Sequence, residues 1–251
     1  MPETQRFQSF DGTEIAWTEM GEGRPVVLIH GYMSDAQTNW IRFGHAGKIA
    51  AAGRRVILPD LRGHGQSARP HDPAAYPPDA LAMDGEALVA HLGLGDYDLG
   101  GYSLGARTTM RMLARGIAPA PRRIVFAGMG LEGLVDTHRR AGHFRDILRN
   151  LGSFDRGSPQ WMVEAFLKTT KGDPVALLNI LETFVDTPQE QVVAVSQPVL
   201  VLAGEDDEDN GSHRALADAL PGATLVEVPG GHMSSVTNAE MGDALAVFLK
   251  D

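Results

Sequence analysis

A chain of 251 residues, 43% hydrophobic and 22% charged, has the composition of an ordinary globular protein, which excludes disordered and fibrous classes. A formal net charge of −10 without any long run of like charges argues against a nucleic acid or an anionic membrane as partner. Cysteine is absent, which removes disulfides, thiolate metal sites and a cysteine nucleophile. The opening MPETQRFQSFDG has neither a basic n-region nor an apolar h-region, and no apolar stretch reaches the roughly 18 residues of a membrane-spanning helix, so a cytoplasmic location is expected.

In chain order, RFQSFDGTEIAWTEMGEG predicts a hairpin, with Asp11-Gly12 as a two-residue turn between β-compatible segments. PVVLIHG follows, an unbroken apolar run suited to a strand buried on both faces. The same kind of run recurs at RRVILPD, YDLGGYS, RRIVFAGM, PVLVLAGEDD and ATLVEVPGGH, and helical patterns lie between most of them, at 79–92, 104–115, 212–220 and 238–250. Strands alternating with helices predict an α/β fold, a mostly parallel central sheet with helices on both faces. From 131 to 195 the rhythm breaks. That stretch holds no buried-strand pattern, only helix-compatible segments at 137–151, 159–169 and 174–185, punctuated by Gly152, Gly157 and Gly172. The expected organisation is a core of residues 1–130 and 196–251, with a helical lid of residues 131–195 inserted over one edge of the sheet.

Ligands of open parallel sheets bind beyond the carboxyl ends of the strands. Those positions hold His30-Gly31-Tyr32, Asp60, Ser103, Met129, Asp207 and His232. Gly101-Tyr102-Ser103-Leu104-Gly105 is weak as a bare pattern but stands where a short apolar run gives way to a helix, the strand-turn-helix setting of a nucleophile elbow. Small neighbours let strand and helix approach, and the turn lifts the hydroxyl clear of the sheet. The Leu104 N–H at the helix start then faces a developing negative charge. A serine hydroxyl needs a base, for which His232 is the candidate, and the base needs an orienting acid. Glu205, Asp206, Asp207, Glu208 and Asp209 are available; spacing after the strand favours Asp207 and leaves Asp206 open.

Other residues carry blander expectations. His30 is expected to shape its loop, and Asp60, Arg62, Gly63, His64 and Gly65 read as a structural turn beside the elbow. His138, Arg139, Arg140 and His143 read as a solvated helix face. The 205–209 cluster lacks the alternation of an EF-hand loop, so no metal is expected there. Met129, Tyr102, Phe144 and Trp161 are the substrate-pocket candidates, with Met162 and Phe166 as further residues that line a pocket or simply pack between helices.

Five segments, VVLIHGY, PDLRGHGQS, GGYSLGA, VLAGEDD and PGGHM, resemble in order and spacing the landmarks of the α/β-hydrolase family across almost the whole chain. The resemblance implies a nucleophile at Ser103, an acid at Asp207, a base at His232 and a second oxyanion donor at Tyr32 N–H, and it likens the helical insertion to the family's cap. Two features depart from the pattern. Members often carry a proline shortly after the acid, where EDDEDNGSH continues with acids, Asn210 and Gly211, and the cap sequence matches no subfamily. A serine at the elbow argues against the haloalkane dehalogenase and epoxide hydrolase branches, which use a carboxylate nucleophile. The expected activity is hydrolysis of a carboxylic ester, thioester or lactone with an apolar portion, without cofactor or metal. Carbon-carbon bond hydrolysis, cofactor-free perhydrolase or oxygenase chemistry and ligand sensing share the same residues.

Overall fold

The computed structural model describes residues 3–250. The apolar runs form β1 (Thr4–Gln8), β2 (Glu14–Met20), β3 (Arg24–Ile29), β4 (Arg54–Pro59), β5 (Asp98–Tyr102), β6 (Ile124–Ala127), β7 (Val199–Gly204) and β8 (Thr224–Val228). The helices are α1 (His45–Ala51), α2 (Ala80–His91), α3 (Leu104–Ala114), α4 (Glu132–Val135), α5 (His138–Arg149), α6 (Pro159–Thr169), α7 (Pro174–Leu181), α8 (Gln189–Val193), α9 (His213–Ala219) and α10 (Ala239–Leu249). Among the described residues the strands join in one 8-stranded sheet ordered β1-β2-β4-β3-β5-β6-β7-β8. The β1/β2 and β2/β4 pairs are antiparallel, and every pair from β4 to β8 is parallel.

The period of two in a strand divides each continuous apolar run between two cores. Val26 and Leu28 of β3, with Val56 and Leu58 of β4, face Trp40, Ile49 of α1 and Met241 and Leu245 of α10. Val27, Ile29, Ile57 and Leu99 face the opposite layer, against Leu88 of α2, Met110 of α3 and Leu216 of α9. Helices therefore cover both faces, as the alternation of runs predicted.

Three local differences from the sequence reading have physical causes. The hairpin exists, pairing Phe7 with Ile15 and Gln8 with Glu14, but its loop runs over residues 9–13 rather than two residues. Ser9 N donates to Thr13 O at 2.9 Å and Gly12 N to Ser9 O at 3.0 Å, while the Asp11 carboxylate is drawn to Thr13 N and to buried Arg62, each at 2.9 Å. After β3, where the sequence pattern predicts no helix, the structure has a π-helical turn at Gln37–Ile41 followed by α1. Helix α1 is short, interrupted by Gly47 and preceded by Gly44 in a left-handed conformation without a side-chain cap, so it carries none of the usual start signals. Helix α7 stops at Leu181, short of 185.

Helices α4 to α8 fill the insertion between β6 and β7. Start signals are clear in two of them. Ser158 Oγ accepts from Trp161 N ahead of Pro159, and Asp173 Oδ1 accepts from Val175 N ahead of Pro174. The two ends of the insertion pack on the sheet side, where Leu134, Val192 and Val195 join the core with α3. Helices α5, α6 and α7 bury a separate cluster of Ala141, Leu148, Leu167, Leu177 and Leu181 around Met33, which comes from the loop after β3. No helix of the described residues is long and apolar enough to cross a membrane.

Candidate active site

At the carboxyl end of β5 the chain reverses directly into α3, and Ser103 occupies the reversal with φ 54° and ψ −110°, a region that non-glycine residues avoid. The turn is held by Ser103 N donating to Ala127 O at 2.8 Å and by Arg107 N donating to Ser103 O at 3.0 Å. Strand and helix approach so closely that a Cβ on Gly101 would lie 2.3 Å from Gly105 C, and one on Gly105 would lie 2.0 Å from Ile29 O. Both glycines are steric requirements. The result is a hydroxyl presented at the sheet edge on a rigid support.

His232 is brought to that hydroxyl by the loop after β8. Its Nε2 lies 3.0 Å from Ser103 Oγ and its Nδ1 lies 2.9 Å from Asp207 Oδ2. The Asp207 side chain is 3% exposed and that of His232 9%. Among residues 205–209, Asp207 is the buried one, and its other oxygen accepts from Asp209 N at 3.1 Å; Asp206 is exposed. With Nδ1–H donated to the carboxylate, the Nε2 lone pair is directed at the serine proton. Tyr102 braces the imidazole from below. Its ring centroid is 5.2 Å from that of His232, and its hydroxyl donates to His232 O and lies 3.1 Å from Ser235 Oγ.

The loop after β3 closes the other side. A Cβ on Gly31 would lie 3.5 Å from Ser103 Cβ, which puts this loop against the elbow. Two buried imidazoles hold it. His30 Nε2 accepts from Leu61 N at 3.0 Å, and His64 Nε2 accepts from Met33 N at 3.2 Å. Burial, with His30 beside it, pushes the His64 pKa from 6.5 down to about 3, so His64 stays a neutral acceptor at ordinary pH. Asp60 adds to the scaffold by accepting from Ala36 N and Gln66 N, each at 2.8 Å. Gly31 N donates to Asn39 Oδ1 at 2.9 Å. Among the described residues no acceptor takes the N–H of Tyr32 or of Leu104, the latter at the first turn of α3 where helical N–H groups have no internal partner. The Tyr32 side chain reaches up into the insertion, donating its hydroxyl to Leu177 O at 2.7 Å and setting its ring 4.8 Å from that of Phe144.

Two chambers meet at Ser103. The smaller, of about 240 Å³, is mostly apolar and is walled by Thr38, Phe43, Tyr102, Val236 and Thr237, with Arg42 at its margin. The larger, of about 520 Å³, lies under the insertion, walled by Met33, Phe144, Met162 and Val163, with Arg140 and His143 at its side. Tyr32, Ser103, Phe166, His232 and Met233 border both. Helix α6 offers Pro159, Met162, Val163 and Phe166 to the chamber, the spacing of a single helical face.

Trp161 lies off that face and does not line either chamber, contrary to expectation. Met129 also differs from expectation. It is 1% exposed and packs in the sheet-side core with its sulfur against Gly133. Phe144 and Tyr102 do line chamber walls. The α5 face expected to be solvated is divided. His138, Arg139 and His143 are exposed and Arg140 is half-buried; Arg140 and His143 border the larger chamber, where partial desolvation and Arg140 lower the His143 pKa. Arg140 is itself paired with Asp209 at 2.5 Å and lies 4.8 Å over the Phe144 ring. One residue at the site lies outside the sequence expectations. Asn210 Nδ2 lies 3.4 Å from Ser103 Oγ and 2.9 Å from Gly128 O. Its signal was the polar continuation after Asp207, where the family often has proline. The described residues contain no group of three or more His, Cys, Asp or Glu placed to hold a metal ion.

A model of the alpha/beta hydrolase family matches residues 26–246. A non-heme haloperoxidase of Rhodococcus erythropolis is 38% identical over 120 residues, which is 47% of this chain and 41% of that protein, so the match spans less than half of the relative's length. Among solved structures, a thermophilic esterase from Thermogutta terrifontis superposes with a TM-score of 0.79 at 23% identity, covering 98% of both chains. The enol-lactonase from Burkholderia xenovorans LB400 superposes with a TM-score of 0.73 at 22% identity, again over 98% of both chains. At such identities these two likenesses concern the fold. Strand order, the strained turn at Ser103 and the family match over nearly the full length lead to one statement: this chain belongs to the alpha/beta hydrolase family.

Proposed function

We propose that the protein is a serine hydrolase that cleaves a carboxylic ester, thioester or lactone of a small, partly apolar molecule through an acyl-enzyme on Ser103. The observation that carries the reading is the unbroken chain from Asp207 through His232 to Ser103, with links of 2.9 and 3.0 Å, ending where two chambers join. His232 Nε2 takes the Ser103 proton as Oγ attacks the carbonyl carbon. The carbonyl oxygen, now anionic, is held by Tyr32 and Leu104 N–H. Asp207 keeps Nδ1 protonated and stabilises the imidazolium. When the tetrahedral adduct collapses, the alcohol, thiol or ring oxygen leaves with the proton from Nε2. His232 then activates water, and attack on the acyl-enzyme frees the acid and restores Ser103.

The smaller, mostly apolar chamber suits an apolar acyl group, and the larger chamber, with polar groups at its side, suits the leaving group. The location that accompanies this proposal is the cytoplasm, and the partner is a small-molecule substrate rather than a nucleic acid or a membrane.

The haloperoxidase relative favours a second reading of the same intermediate, in which hydrogen peroxide attacks the acyl-enzyme in place of water and releases a peracid. One experiment addresses both. A panel of p-nitrophenyl esters, lactones and vinylogous diketones is offered to the protein and to Ser103→Ala, with and without peroxide. Steady multiple turnover of an ester or lactone that the variant lacks supports the hydrolase. Peroxide-dependent oxidation at a higher rate than hydrolysis transfers the assignment to the second reading. Equal rates in protein and variant remove Ser103 from the reaction.

A further inference from the structure

We infer that Asn210 is a further catalytic residue, an amide donor to the attacking oxygen itself; the inference rests on Ser103 being the nucleophile. Asn210 comes three positions after Asp207 and is 4% exposed. Its backbone is pinned by Gly133 N, which donates to Asn210 O at 2.9 Å. The side-chain amide has two hydrogens and faces two acceptors, Gly128 O at 2.9 Å and Ser103 Oγ at 3.4 Å. The first contact is an ordinary tie between the acid loop and the residue following β6. The second is made to the reacting atom.

An amide nitrogen can only donate, whereas Oγ has a single proton to place. With Asn210 Nδ2–H directed at Oγ, the serine proton goes to His232 Nε2, 3.0 Å away, and Nε2 must be the unprotonated nitrogen. The amide therefore selects one direction for the whole chain from Ser103 to Asp207.

It also acts during the reaction. As the Oγ–H bond breaks and its proton passes to Nε2, the freed electron pair forms the Oγ–C bond, and the carbonyl π pair moves onto the carbonyl oxygen. Tyr32 and Leu104 serve that last atom. Negative charge also passes through Oγ, where Asn210 is the donor at hand, and hydrogen bonds to charged acceptors are shorter and stronger than neutral ones. In deacylation Oγ becomes the leaving oxygen, and the same N–H stabilises it again. Both half-reactions gain from the contact, while substrate affinity does not.

The test uses a fluorophosphonate, which reports the nucleophilicity of Oγ directly: the Oγ–P bond forms and fluoride leaves. Asn210→Leu keeps the volume without the N–H, and Asn210→Ala removes both. We expect inactivation of either variant to be about tenfold slower than in the parent, with kcat for an ester lowered by a similar factor and KM unchanged. A residue that only fastened the loop would lower Tm while leaving phosphonylation of the folded protein within about twofold of the parent; that outcome overturns the inference. So does a crystal structure of the parent with the amide beyond about 3.6 Å from Oγ, which decides the matter even if neither variant folds. Failure of the parent to react with the probe removes Ser103 as nucleophile and Asn210 with it, whereas normal labelling of the parent and of both variants removes Asn210 alone.

Discussion

The carboxyl edge of the sheet and the helices above it border the same chamber, but they fix their residues by different means. At the edge, backbone geometry decides. Ser103 is held at φ 54° between a strand and a helix too close to admit a methyl group at Gly105. In the insertion, side-chain packing decides, through a cluster of Ala141, Leu148, Leu167 and Leu177 around Met33. Backbone constraints of this kind are satisfied or broken, whereas packing relaxes by degrees. Substitutions at the edge should therefore act abruptly and those in the insertion gradually.

The largest effect is expected at Ser103. Ser103→Ala should lower kcat by about 10⁴ or more while leaving Tm near that of the parent, as measured by ester hydrolysis and thermal melting; near-normal turnover would dissolve the distinction drawn here. Gly105→Ala comes next. Its new Cβ meets Ile29 O at 2.0 Å, two backbone segments that cannot move aside. A loss of about 3 kcal/mol or more in denaturant unfolding is expected, and a loss under about 1 kcal/mol would mean that the edge yields more than its geometry implies.

His64 joins the two regions, since it accepts from Met33 N while Met33 packs into the insertion. Its folded pKa of about 3 lies below the ordinary 6.5, so between those values the unfolded chain binds the extra proton. The stability it contributes is complete above pH 6.5, is lost as pH falls towards 3, and levels off below that. Asp11, drawn down to about 2 against its own burial by Arg62 and Thr13, adds a loss of the same sign below its ordinary 3.8. In His64→Gln, which keeps an acceptor without the titration, the drop in stability between neutrality and about pH 4 should shrink by on the order of 2 kcal/mol. An unchanged drop would clear His64 of any part in it.

The smallest expected effects lie on α6. Phe166→Ala, on the chamber face, should raise KM about tenfold for a substrate with a bulky apolar group, with kcat within a few-fold. Trp161→Ala, on another face, should leave KM unchanged. Equal effects from the pair would show that the insertion acts as a whole rather than through its chamber face.

Much of the edge was readable from sequence because each constraint leaves a mark in composition. Strands buried on both faces become continuous apolar runs, and close approach of β5 to α3 becomes a glycine on either side of Ser103. Direction was harder to read. Position after a strand marks Met129 as near the site, yet only the fold reveals that its side chain turns inwards against Gly133. Amphipathic spacing identifies α5 and α6 as helices without stating which neighbour each face meets, so the wall expected of Trp161 is provided by Pro159, Met162, Val163 and Phe166. The choice between Asp206 and Asp207 depended on burial, a property of the assembled loop. Asn210 was obscured for a similar reason, since an asparagine after a run of acids has the look of solvent-exposed loop.

Tyr32 has a consequence for how such a protein diversifies. Its main chain belongs to the loop that flanks Ser103, and its hydroxyl is fastened to Leu177, 145 positions further along the chain. A single phenol thus straps the loop beside Ser103 to the helices above it. Replacing the helices above would release that strap, so, on the proposed function, a change of roof would also disturb the loop that presents the Tyr32 N–H.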